Sequence, residues 1–127
     1  YNLTVQDEPG EAFKLLSHLA DLGINLLAFT AVPTGPAQVQ LTLFPANGPS
    51  AAEELRKAGL DIDGPHHAIL VQGDDELGAL AGVHEKLYEE GVNVFASQGV
   101  TDGRGAYGYV LYVRAEEHER AARALEV

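Results

Sequence analysis

The strongest constraint on this 127-residue chain is that it matches itself at a shift of 68. Asp7, Gly10, Leu19, Gly23 and Asn25 fall on Asp75, Gly78, Leu87, Gly91 and Asn93 without a gap. Apolar positions follow the same shift: Leu3 meets Val71, Leu15 meets Val83, Ile24 meets Val92, and Leu41 and Leu43 meet Tyr109 and Leu111. A fixed offset that keeps glycines and apolar positions together is the mark of a duplicated supersecondary unit. The strictest matches are two turns, Asp-Glu-x-Gly and Gly-x-Asn, and turns are where sites tend to be found.

Each copy reads as the same run of elements. Tyr1 to Gln6 alternates as a strand, Asp7-Glu8-Pro9-Gly10 breaks it, and a helix follows to Leu22 with Ala12, Leu15, Leu16, Leu19 and Leu22 at helical spacing and Phe13 alongside. Asp7 or Glu8 is expected to cap that helix, Pro9 suits its first turn, and Gly23 stops it. Ile24 to Val32 reads as a buried strand, and Gln38 to Phe44 alternates Val39, Leu41 and Leu43 against Gln38, Gln40 and Thr42. A short helix from Pro49 to Gly59 and a brief fourth strand at Leu60 to Asp63 complete the first copy. The second repeats the order: a strand at His67 to Gln72 and a helix from Leu77 to Glu90 whose stripe is Leu77, Leu80, Val83, His84 and Leu87. Strands at Val92 to Val100 and Ala106 to Val113 and a last helix at Glu116 to Leu125 follow. Helices packed on one face of an antiparallel sheet give an α+β, ferredoxin-like βαββαβ sandwich, built twice, with repeats at 1–63 and 64–127.

Composition excludes more than it assigns. The net charge is −11; residues 1–59 carry six acids against three bases and residues 60–127 thirteen against five. No Lys/Arg cluster offers itself to nucleic acid or to an anionic membrane, so neither is an expected partner. No apolar run approaches the roughly 20 residues of a membrane span. The chain opens at Tyr1 without an initiator Met, and no signal peptide is visible. Cysteine is absent, which removes disulfides and thiolate sites and fits a cytoplasmic protein.

A βαββα unit with Asp-x-Pro-Gly before its first helix and Gly-[Ile/Val]-Asn after it resembles the ACT domain, a small regulatory module of amino-acid metabolism. The motif stands as Asp7-Glu8-Pro9-Gly10 with Gly23-Ile24-Asn25, and again as Asp75-Glu76-Leu77-Gly78 with Gly91-Val92-Asn93, Leu77 replacing the favoured Pro. With no catalytic domain attached, the layout is similar to stand-alone tandem ACT proteins of the glycine-cleavage-repressor type. The resemblance implies a non-catalytic, amino-acid-binding regulator in which the ligand sits at this turn, where two ACT units abut. Asp7, Glu8, Pro9, Gly10 and Asn25 would form the better-preserved site, and Asp75, Gly78 and Asn93 a degenerate one. No cofactor is implied, and a metabolic enzyme is the expected partner. The alternative is a pure dimerisation or docking module with no small ligand.

Sharper motifs fail on context. Gly103-Arg104-Gly105-Ala106-Tyr107-Gly108 spells a dinucleotide fingerprint, but strands flank it on both sides, so a hairpin turn is expected. Asp61-Ile62-Asp63-Gly64 starts like a calcium loop, yet Gln72 stands where its Glu should be. Three acids crowd Asp74 to Glu76, a solvated cap rather than a cation site. His66 and His67 point to opposite faces of a strand, and His18 and His84 are not equivalent, so no metal is expected. Ser17, Ser50 and Ser97 lack a nucleophile context. Finally, the outward face of the third strand is polar in the first copy (Gln38, Gln40, Thr42) but small and apolar in the second (Ala106, Gly108, Val110, Tyr112), joined by Phe95 if the second strand pairs in that register. Such a face is expected to be covered, which predicts a homodimer using Val110 and Tyr112.

Overall fold

The computed structural model describes residues 1–127. The chain divides into two compact units, Tyr1–His66 and His67–Val127. In the first, β1 (Asn2–Gln6), α1 (Glu11–Asp21), β2 (Leu26–Gly35), β3 (Gln38–Pro45) and α2 (Gly48–Lys57) follow in order. In the second come β4 (Ile69–Asp74), α3 (Ala79–Glu89), β5 (Val94–Thr101), β6 (Ala106–Val113), a 3-10 turn at Ala115–Glu117 and α4 (His118–Ala124). Each sheet is antiparallel with the third strand in the middle, in the orders β1-β3-β2 and β4-β6-β5.

The 68-residue shift holds to the residue in the first helix and the third strand. Adding it to α1 gives the bounds of α3, and adding it to β3 gives those of β6. Leu3 pairs with Leu41 as Val71 pairs with Tyr109. A bulge between Leu26 and Ala28 recurs between Val94 and Ala96. This is the α+β tandem arrangement expected from the repeat. The closing strand of a full βαββαβ unit is the difference: Leu60 to Asp63 contributes one antiparallel bridge, Asn2 to Asp63, rather than a strand. Gly59, at φ 84, and the 3.1 Å bond from the Leu60 amide to the Leu55 carbonyl end α2, and the chain meets the β1 edge at a single point.

Both cores form between the sheet and its helices. Leu3, Leu15, Leu19, Leu41, Leu43, Ala52, Leu55 and Ile62 pack together in the first unit. Ile69, Val83, Leu87, Val92, Tyr109, Leu111, Val113, Ala121 and Leu125 do so in the second. The buried face of each helix is narrower than its apolar stripe. On α1, Leu15 and Leu19 are buried whereas Leu16 is 38% and Phe13 73% exposed. On α3, Val83 and Leu87 are buried, and Leu77, Leu80 and His84 are exposed. One row of contacts against a three-stranded sheet needs only the i, i+4 pair, so the flanking apolar positions stay in water.

Candidate functional site

The Asp-x-Pro-Gly motif is first of all a turn. The Glu11 amide donates to the Glu8 carbonyl at 3.3 Å, with Gly10 at φ 90, ψ −7. Pro at the second position and a left-handed Gly at the third define a type II turn. The second unit repeats it: the Ala79 amide donates to the Glu76 carbonyl at 3.0 Å, with Gly78 at φ 79, ψ 10. Leu77 holds the Pro9 position there with its side chain fully in water. Leu77→Pro should therefore stabilise the protein by about 0.4–1 kcal/mol, through lost freedom of the unfolded chain; an unchanged or lower urea midpoint would show that the turn differs from the first. A second bond ties each turn to the neighbouring hairpin, from the Asp7 amide to the Ala37 carbonyl and from the Asp75 amide to the Gly105 carbonyl, both 2.9 Å.

The expected cap is not made. Gly10 and Gly78 are themselves the N-caps, so Asp7 and Glu8 lie too early to reach the first turn, and no side chain bonds the amides. Pro9 likewise sits before the helix, not in it. The α2 start is different: the Asn47 side chain accepts from the Ser50 amide at 3.2 Å. In α1 the first helical bond runs from Lys14 to Gly10, which leaves the Ala12 and Phe13 amides without an intrahelical acceptor beside Asp7 and Glu8. In α3 the equivalent amides are those of Leu80 and Ala81. Glu11 is engaged with Lys14 at 3.6 Å.

The Gly-x-Asn motif has its own backbone work. The Ile24 amide donates to the Leu19 carbonyl at 2.9 Å and the Gly23 amide to Ala20 at 3.0 Å, with Gly23 at φ 74. These bonds form a Schellman end, and Val92 to Leu87 with Gly91 to Tyr88 repeats it. Asn25 and Asn93 follow, exposed, at the start of the next strand.

The structure thus gathers Asp7, Glu8, Pro9 and Gly10 at one end of α1, all exposed, and sets Asn25 at the other. Eleven helical residues separate them, roughly 16 Å at 1.5 Å per residue. Asp75 and Gly78 stand apart from Asn93 in the same way along α3. Within a unit, one amino acid cannot touch both motifs.

Other residues singled out by sequence resolve simply. Gly103 and Gly105 lie in the β5–β6 hairpin, where the Asp102 carboxylate accepts from the Arg104 and Ala106 amides at 2.6 and 3.1 Å. Those bonds lower the Asp102 pKa, so their support is present at neutral pH and fades as acid protonates the carboxylate. His66 bonds Asp63 at 2.8 Å, and the His67 and His118 rings lie 5.6 Å apart. His84, expected on the buried stripe, is exposed and bonds the buried Tyr109 hydroxyl at 2.7 Å. On the outward face of the second sheet, Val110 and Tyr112 are half-buried and the Phe95 ring lies 6.2 Å from that of Tyr112. Phe95 stands at the bulge between Val94 and Ala96 and shares that face with Tyr112. No helix is long and apolar enough to cross a membrane.

No protein-family model and no curated protein matches the chain. Solved structures do. A protein from Bacteroides thetaiotaomicron superposes with a TM-score of 0.80 at 17% identity, over 98% of this chain and 83% of that one. The ligand-free regulatory subunit of aspartate kinase from Thermus thermophilus gives 0.64 at 20%, over 98% and 87%. The corresponding subunit from Thermus flavus gives 0.58 at 22%, over 98% and 87%. At such identities the likeness is one of fold, and that fold is two ferredoxin-like α+β repeats in tandem.

Proposed function

We propose that this chain is a non-catalytic regulatory protein of amino-acid metabolism that binds an amino acid at the turn before α1. The observation that carries the reading is the uncapped start of α1 beside two carboxylates. A zwitterion fits both: its carboxylate takes the Ala12 and Phe13 amides at the positive helix end, and its ammonium meets Asp7 or Glu8. Gly10 gives the ligand close access to the backbone, since nothing lies within 4 Å of where a Cβ would stand. The second turn, with Asp75 and Gly78, is the weaker site. Asn25 and Asn93 stand too far along their helices to serve the turn of their own unit, so each would meet a ligand held by a second copy. That makes the working form a homodimer. The fold shared with aspartate kinase regulatory subunits supports a metabolic enzyme as the regulated partner, and the lack of cysteine supports a cytoplasmic setting.

A thermal-shift screen with the twenty amino acids tests this. A ligand at 100 times its Kd adds about 2.7 kcal/mol of stability by mass action. Gly10→Val should abolish that increment, measured against the variant's own melt because valine is strained at a positive φ. Asn25→Ala should weaken binding by about 1–3 kcal/mol. Unchanged affinity in both variants would move the site elsewhere. A second reading, association without a ligand, is favoured by the apolar outward face of the second sheet, and it predicts no shift with any amino acid.

A further inference from the structure

His67 and His118 are distant in sequence, and the fold brings them together. His67 stands two residues before β4, and the pairing of Ile69 with Leu111, carried back along the strands, sets it level with Val113 at the end of β6. From Val113 the chain runs through Arg114 and the 3-10 turn at Ala115–Glu117 to His118, the first residue of α4. The two rings end with their centroids 5.6 Å apart, tilted by 53° rather than stacked. His67 is exposed and His118 half-buried. The shift of 68 puts Ser50 at the His118 position, so the first unit has no such pair.

The Nε2 atom of His118 is buried and has no hydrogen-bond partner. That is a costly state for a polar atom, and one that a bound water or ion relieves. His66 and His84 are satisfied, by Asp63 at 2.8 Å and by the Tyr109 hydroxyl at 2.7 Å. Glu117 Oε2 and Arg120 Nε are also unpartnered, but those two side chains meet through their other atoms at 3.5 Å and offset each other's charge. His118 has no such counterpart.

We propose that His67 and His118 hold one divalent transition-metal ion of the zinc, nickel or copper type between them. Neutral imidazole is a favoured ligand for these ions. With a metal–nitrogen bond of about 2.0–2.1 Å, two imidazoles on one ion have centroids roughly 5.2 Å apart at a tetrahedral angle and roughly 6.4 Å apart when opposite. The observed 5.6 Å falls inside that range. No group of three His, Asp or Glu side chains stands ready to hold a metal, and cysteine is absent. Water therefore fills the remaining positions, and the site is weaker than a structural zinc centre with four protein ligands. The surplus of thirteen acids over five bases in residues 60–127 draws cations to this half of the chain. The ion ties the lead-in to β4 to the start of α4, the short helix that carries Ala121 into the second core. The site shares no residue with the turns before α1 and α3.

Metal titration of the whole chain separates an ion site from two rings that merely pack together. Saturating Zn2+ should raise the melting temperature by about 4 °C or more, and EDTA should reverse the rise. His67→Phe keeps a ring at an exposed position and removes its nitrogen. It should leave the metal-free melt in place and weaken Zn2+ binding, read by calorimetry, by at least about tenfold, since losing even a hydrogen-bond partner of a ligand costs about 10–100-fold. His66→Gln, which removes the competing His66–Asp63 pair, should bind Zn2+ as the wild type does. One equivalent of Cu2+ should show two bound imidazoles by pulsed EPR in the wild type and one in His67→Phe. No zinc-dependent shift, equal affinity of wild type and His67→Phe, or a single imidazole on copper in the wild type overturns the proposal. Loss of binding in His66→Gln alone overturns it too and moves the ion to Asp63 and His66.

Discussion

Leu43→Ala and Leu111→Ala should each remove about 2–5 kcal/mol. The two leucines are the same residue of the repeat, 1% and 0% exposed in the middle of the central strands β3 and β6. Each deletion leaves a cavity between the sheet and its helices that a strand bonded on both sides cannot collapse to fill. Urea titration gives the loss directly. A cost below 1 kcal/mol for either would mean that the site relaxes and that its core is looser than the packing indicates.

A second large effect sits where the copies have solved one packing problem in two ways. Gly99 on β5 faces Tyr109 on β6, and a Cβ there would lie 2.9 Å from the Tyr109 ring. The first unit has Ala31 against Leu41 at the same positions. Tyr109 is 5% exposed, so its ring cannot swing into water. Gly99→Ala should cost about 1–3 kcal/mol by overpacking. Tyr109→Leu should also destabilise, since it empties space and gives up the His84 bond. The double variant recreates the first unit's pair and should lose less than the sum, with a coupling of about 1–2 kcal/mol. Simple additivity would show that glycine and tyrosine are not a matched pair. Gly73 and Tyr107 repeat the arrangement on the other edge, with the same 2.9 Å approach.

Much of this was legible in the residues. The shift of 68 carries the strand register of one unit onto the other, because register follows from which apolar residues face the helices, and those are the residues the duplication kept. The type II turns and Schellman ends follow from Pro9, Gly10 and Gly23, whose backbone preferences are local. Other features depend on partners distant in sequence. Leu16, Leu77, Leu80 and His84 fit a helical stripe, but a stripe does not reveal how wide the opposing sheet is. Asp7 and Glu8 read as caps until the left-handed Gly10 claims that position. The candidate site was half legible: both motifs were visible, but their separation appears only when α1 is laid along the sheet. Phe95 stands beside Tyr112 as the apolar outward face implies, although the bulge it occupies is not written in the residues.

Pro33 and the two irregularities of β2 have a consequence beyond local geometry. β2 is one of the two edge strands of its sheet, broken in register at Leu26/Ala28 and again at Pro33/Gly35. A proline lacks the amide that an incoming strand would need, and each bulge turns the edge away from a straight template. On that side the sheet cannot grow by recruiting neighbours. Copies that meet about a two-fold axis close on themselves, whereas copies joined edge to edge would extend without limit. The irregular strand thus biases this acidic chain toward finite assemblies and away from fibres at high concentration.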